Sequence, residues 1–198
     1  MHALCDALRA TKILRKLDLS NNALRAEGTA VVGAMLSAND SITSIDLARN
    51  DVTQRGRCMD GVVALAAVFA GNDHLSSLGL ASNCLCGLDM TSSGEVMGEY
   101  RPQPVLHLLK SLAGNQVMNA LDLSNNVIGG KKGTPSEHTE RIIGAVVGAV
   151  ADSWSLNIEL RHNFIDGAGA QPYAEPRPVV KQIRLAPPAT CPVALTGS

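Results

Sequence analysis

Acids, cations and thiols recur in this chain at spacings that can be tested for chemistry. Asp18, Asp46, Asp122 and Glu159 each stand between two aliphatic residues, as in Leu17-Asp18-Leu19 and Ile158-Glu159-Leu160. On an extended segment a residue flanked in this way points away from the side that buries its neighbours, so four acids reach one exposed face. Arg49 and Arg161 follow two of these acids closely, and Arg55, Arg57, Lys131 and Lys132 lie in polar, glycine-containing stretches beyond. An acidic column with cations at its margin suits the gripping of a charged protein surface rather than bond making.

Patterns for catalysis were sought in the same residues and are missing. Gly129-Gly130-Lys131-Lys132-Gly133-Thr134 has phosphate-friendly composition without the order of a phosphate-binding loop, and Gly167-Ala168-Gly169 lacks the third glycine of a dinucleotide loop. His2, His74, His107, His138 and His162 show no metal-ligand spacing, and Cys84-Leu85-Cys86 alone is weak support for redox chemistry. Thr134-Pro135 has the form of a phosphorylation site, a dipeptide common in loops. The expectation is a non-enzyme without cofactor or metal.

The elements that position these residues follow from a repeat. Leu14, Leu17, Leu19, Asn22 and Leu24 spell L-x-x-L-x-L-x-x-N-x-L. The frame recurs at Ile42, Ile45, Leu47, Asn50 and Val52, at Leu75, Leu78, Leu80, Asn83 and Leu85, and at Met118, Leu121, Leu123, Asn126 and Ile128. A fifth copy ends Ile158, Leu160, Asn163, Ile165, with one residue missing at its entrance near Asn157. Each copy buries its apolar face only by stacking on its neighbours. The asparagine after each strand is placed to satisfy loop main-chain groups.

Upstream of each frame an i, i+4 pair marks a helical stripe: Leu4 and Leu8, Val32 and Leu36, Leu65 and Phe69, Leu108 and Leu112, Val146 and Val150. The frame asparagines are 28, 33, 43 and 37 residues apart. The excess falls between asparagine and helix, which predicts three insertions on one edge, near 53–60, 86–103 and 129–140. Pro172, Pro176 and Pro178 oppose a long fifth helix. Val180, Ile183 and Leu185 keep the spacing of a last, degenerate strand, with Pro188 where asparagine should be. The division expected is a repeat domain over 1–186 and a loose Pro-containing tail over 187–198.

These motifs resemble the leucine-rich repeat family, in particular its ribonuclease-inhibitor-like class with long, helix-bearing repeats. The resemblance implies an α/β solenoid of about five repeats, curved, with a parallel inner sheet, outer helices and expanded strand-to-helix loops. It also implies recognition of proteins through the concave face and one rim.

Composition agrees with such a scheme. The chain has 198 residues, 45% of them hydrophobic but 3% aromatic, so many medium aliphatic side chains fill the core. A net charge of −1 argues against general nucleic-acid or anionic-membrane binding. The longest apolar runs, near 62–70 and 142–151, are short of the roughly 20 residues of a membrane span. No apolar block of a secretory signal is evident. Five scattered cysteines read as reduced thiols, hence a cytoplasmic location, with the Asn39-Asp40-Ser41 sequon unused.

The function expected is non-catalytic binding of a protein partner through the concave residues Asp18, Asp46, Arg49, Asp122, Glu159 and Arg161 and the rim residues Arg55, Arg57, Lys131 and Lys132. Similarity to Ran GTPase-activating protein gives a second reading, a small-GTPase regulator acting through Arg49 or Arg55. A third is an architectural subunit, or a piece of a longer chain, whose uncapped helical start and Pro-rich end are covered by neighbours.

Overall fold

The computed structural model describes residues 2–91, 93, 95–130, 136–151, 153, 155–165 and 183–184. In chain order its elements are α1 (His2–Ala10), β1 (Lys16–Asp18), α2 (Arg25–Ser37), β2 (Ser44–Asp46), α3 (Asp60–Gly71), β3 (Ser77–Gly79), β4 (Leu88–Met90), β5 (Val96–Gly98), α4 (Gln103–Ser111), β6 (Ala120–Asp122), α5 (Ser136–Ala151), β7 (Asn157–Glu159) and β8 (Ile183–Arg184).

Strands β1, β2, β3, β6, β7 and β8 form one parallel sheet in that order. Leu17, Ile45, Leu78, Leu121, Ile158 and Ile183 lie opposite one another, and beside them run Asp18, Asp46, Gly79, Asp122, Glu159 and Arg184. A parallel neighbour requires a crossover, and from β1 to β7 these are supplied by the helices α2 to α5, each packed on the helix before it. The apolar stripe is where the spacing predicts it: Val32, Leu36, Leu65, Phe69, Leu108, Leu112, Val146 and Val150 are buried in one continuous core. On α1, Leu8 is half-buried and Leu4 exposed, because this helix packs against a neighbouring helix on one side.

Frame asparagines hold the turn after each strand. The side-chain oxygens of Asn50, Asn83, Asn126 and Asn163 accept the main-chain N–H of Asn22, Asn50, Asn83 and Asn126 in turn, at 2.8–2.9 Å. Their amide nitrogens donate back to Leu19, Leu47, Leu80 and Leu123 carbonyls of the preceding repeat. Both halves of the side chain are used and the buried loop keeps its hydrogen bonds.

A second ladder, on the other side of the strands, escaped the sequence reading. Asn39 and Asn72 are buried and Asn115 half-buried, each three residues before the frame, capping the entry to the next strand. Each accepts two main-chain N–H groups, Asn39 from Ser41 and Ile42, Asn72 from His74 and Leu75, and Asn115 from Val117 and Met118. Each also donates to the preceding repeat, at Leu8 and Thr11, Leu36 and Asn39, and Phe69. The recurrence of Asn at that offset was the available signal. Burial and these bonds leave the Asn39 amide inaccessible to glycosylation in the folded chain.

The missing residue of the fifth repeat is visible in the bonding. Carbonyls of Arg15, Thr43 and Ser76 each accept two successive N–H groups from the next repeat, Thr43 and Ser44, Ser76 and Ser77, Asn119 and Ala120. Leu156 is buried in the place of Met118, and the N–H of Asn157 bonds Asn119 directly at 2.8 Å. Asn157 then pairs with Ala120 in the sheet, so the slot of Asn119 has no counterpart.

At the far end β8 pairs with β7 as the degenerate frame predicts. Val180, Leu185, the three prolines and the boundary at 186 lie outside the described residues.

Candidate protein-binding face and rim cleft

The column of acids stands on the sheet, with neighbouring strands about 4.8 Å apart. Each acid also has a local task. Asp18, Asp46, Asp122 and Glu159 accept the N–H two residues on, from Ser20, Ala48, Ser124 and Arg161, at 2.8–3.2 Å. These turn-capping bonds hold the chain as it leaves the strand. The Ser20 hydroxyl, and after it the Ser20 N–H, hold the exposed Asp18 carboxyl below the usual carboxylate range. Gly79 interrupts the column, and a Cβ there would sit 2.7 Å from Asp46 Oδ1, the movable end of that side chain. Asp18 and Asp46 are exposed, Asp122 and Glu159 half-buried, and the Arg161 guanidinium pairs with Glu159 at 3.0 Å.

Arg49 is exposed in a left-handed conformation at φ 57°, and its N–H bonds the Ala81 carbonyl. The same conformation recurs just before each frame asparagine, at Asn21, Ser82, Asn125 and His162. These residues form a polar row where the concave face meets the rim.

On that rim the first two insertions meet. Insertion 86–103, expected as a loop, contains an antiparallel hairpin: Leu88, Asp89 and Met90 of β4 face Gly98, Met97 and Val96 of β5. The Thr91 N–H closes its turn onto the Glu95 carbonyl at 2.9 Å. Glycines make this packing possible. A Cβ on Gly56 would lie 2.9 Å from Gly87 Cα, one on Gly87 would collide with the Glu99 carbonyl, and one on Gly98, at φ 110°, with the Gly87 carbonyl. Arg55 of the first insertion has its N–H on the Asp51 carboxylate at 2.8 Å and its guanidinium 3.4 Å from Asp89. Arg57 is exposed on the same insertion. At the hairpin's base the Tyr100 hydroxyl donates to the Ile128 carbonyl at 2.6 Å, and its ring meets His138 edge-on with centroids 5.5 Å apart. Burial raises the Tyr100 hydroxyl's pKa.

Between hairpin and polar row lies a cleft of about 250 Å³ lined by Ser82, Cys84, Leu88, Asp89, Met90, Asn125, Val127 and His162. Met90, Met97 and Phe164 are exposed nearby on the rim elements. Burial, reinforced by the Asp89 and Asp51 charges, pushes the Cys84 thiol up to about 12. It is therefore a neutral wall of the cleft at physiological pH and a poor nucleophile.

The structure thus brings Arg55 to Asp89 and Arg161 to Glu159, and sets the acids in one row. Lys131 and Lys132 lie outside the described residues. Sequence reading located the insertion but not the cleft, since Leu88, Met90 and Val96 were too brief an alternation to read as strands.

A family model described as Leucine Rich repeat matches residues 13–30 and 114–131, the segments that hold the ladder residues Asn22 and Asn126. No curated protein matches the chain. No described helix is long and apolar enough to cross a membrane.

Proposed function

We propose that this leucine-rich repeat solenoid is a non-catalytic module that binds a protein partner through its concave acid column and the rim built by the inserted hairpin. Leucine-rich repeats generally mediate protein–protein interaction. The observation that carries the reading is the cleft between β4 and the polar row Ser82, Asn125 and His162, next to a carboxylate row on a rigid sheet. Binding residues concentrate where loops are held by such a scaffold. The partner surface is basic, with Asp18, Asp46, Asp122 and Glu159 as its counter-charges and Arg49, Arg55, Arg57, Arg161, Lys131 and Lys132 setting orientation at the margin.

The 28-residue interval from Asn22 to Asn50 and the helix in each described crossover favour the ribonuclease-inhibitor-like class. The free thiols Cys5, Cys58, Cys84 and Cys86 favour a reducing, cytoplasmic compartment.

The test is native co-purification followed by a binding isotherm on the recovered partner. Because Asp46 and Asp122 also cap their turns, Asp→Asn is the clean change: it keeps an acceptor for the turn N–H and removes the charge. The Asp46→Asn, Asp122→Asn pair should weaken binding about tenfold, or about 1.4 kcal/mol. A verified partner indifferent both to that pair and to shortening of the hairpin would refute the site.

A further inference from the structure

The parallel sheet ends at β1, which has β2 on one side and no described strand on the other. Leu19 donates its N–H to the Asp46 carbonyl, and the Arg15 carbonyl accepts from Ser44. Arg15, Leu17 and Leu19 thus turn their main-chain groups toward β2, and those of Lys16 and Asp18 point outward. Both Lys16 and Asp18 are exposed. On the core side of this end Leu8, Leu14 and Leu17 are half-buried, and Leu4 and Ile13 are exposed. In the next two repeats Ile42, Ile45, Leu75 and Leu78 are buried.

Most charges of this end are already engaged. Asp6 pairs with Arg9 and Lys12 with Asp40, and the Arg15 guanidinium rests on the Lys12 and Ser41 carbonyls. Lys16 has no ion-pair partner among the described residues, and its counterparts across the sheet are Ser44, Ser77, Ala120 and Asn157. A lysine on an edge strand ordinarily deters pairing. Asp18, two residues on, changes that. Antiparallel self-pairing bonds outward groups to outward groups, so β1 can set Lys16 on Lys16, Asp18 on Asp18, or Lys16 on Asp18. The first two registers oppose like charges. The third centres a twofold axis on Leu17 and opposes unlike charges on both sides of it.

We infer that two copies of this chain join antiparallel through β1, continuing one sheet across a twofold axis at Leu17. Each Lys16 exchanges both main-chain hydrogen bonds with Asp18 of the second copy, at a Cα separation of about 5.5 Å. The Lys16 ammonium and the facing Asp18 carboxylate share the concave side of the seam. Leu17 meets its own copy on the core side, at a Cα separation of about 4.5 Å. This association goes beyond the partner-binding reading and does not depend on it, since Asp46 and Asp122, which carry that test, lie off the seam.

The test is sedimentation equilibrium of the full chain, which should show a species of twice its 20.7 kDa. As concentration rises, amide exchange at Lys16 and Asp18 should slow about tenfold or more, while Leu17, bonded to β2 in either state, stays as it was. Lys16→Asp and Asp18→Lys each set like charges across the seam and should each weaken the dimer about tenfold or more. Mixing the two variants should restore it, because every facing pair is then unlike again. Asp18→Lys also removes the cap on Ser20. If that variant fails to fold, Lys16→Asp and the wild-type exchange measurement decide. A chain still monomeric at about 100 μM overturns the proposal. So does a dimer that ignores Lys16→Asp or leaves Lys16 and Asp18 exchange unslowed; partner binding through Asp46 and Asp122 would survive either result.

Discussion

The side-chain oxygen of Asn126 accepts the main-chain N–H of Asn83 at 2.8 Å, across 43 residues of sequence and one step of the solenoid. The same side chain accepts from Leu85 and donates to Leu80, Leu123 and Ser124. A fully buried amide thus serves five main-chain groups in two repeats. Asn126→Ala leaves those groups buried without partners and should cost about 3 kcal/mol in chemical denaturation. Asn22, on the exposed first rung, donates to Leu19 and Ser20, and Asn22→Ala should cost less than about 1 kcal/mol. Equal costs at the two positions would contradict the ladder account.

Gly98→Ala should undo the hairpin and spare the solenoid. The added Cβ meets the Gly87 carbonyl and the φ of 110° disfavours any side chain. Amide exchange of Asp89 and Met97 should accelerate, while the circular dichroism of the repeat helices stays unchanged. Cooperative loss of the whole fold would show that the hairpin is structural.

Lys12 and Asp40 supply a pH-dependent contact. The Lys12 ammonium bonds both Asp40 oxygens at 2.7–2.8 Å and holds that exposed carboxyl below its ordinary range. A carboxyl lowered in the folded state adds stability above its unfolded pKa of about 3.9, and that contribution disappears as pH falls through the folded value. Lys12→Met should raise the Asp40 pKa in an NMR titration. The stability difference between variant and wild type should be present at neutral pH and gone in strong acid.

Cys84 reports on the electrostatics of the cleft. With its thiol pushed up from 9.0 to about 12, alkylation at neutral pH should be slower than for an exposed thiol by about a thousandfold in thiolate fraction. Asp89→Asn should recover part of that rate, because burial rather than the carboxylate is the larger cause. A fast-reacting Cys84 in the wild-type protein would refute the buried setting.

Much of the solenoid was legible because its signal is additive over copies. Leu17, Ile45, Leu78, Leu121 and Ile158 repeat one steric demand, and the slot missing before Asn157 stood out against four intact frames. The hairpin occurs once, so Leu88, Met90 and Val96 had no second copy to compare with. The entry ladder of Asn39, Asn72 and Asn115 was repeated but unread, since asparagine in a turn is ordinary composition. Nor does a list of acids reveal that Asp46 caps the turn at Ala48, a bond set by the local geometry of the chain leaving the strand.

The most direct measurement is the dissociation constant of the co-purified partner for three proteins: wild type, the Asp46→Asn, Asp122→Asn pair, and a chain whose hairpin tip over 90–97 is replaced by a tight turn. The account predicts weakening of about tenfold or more for each altered protein at unchanged thermal stability. Equal affinity in all three would contradict it.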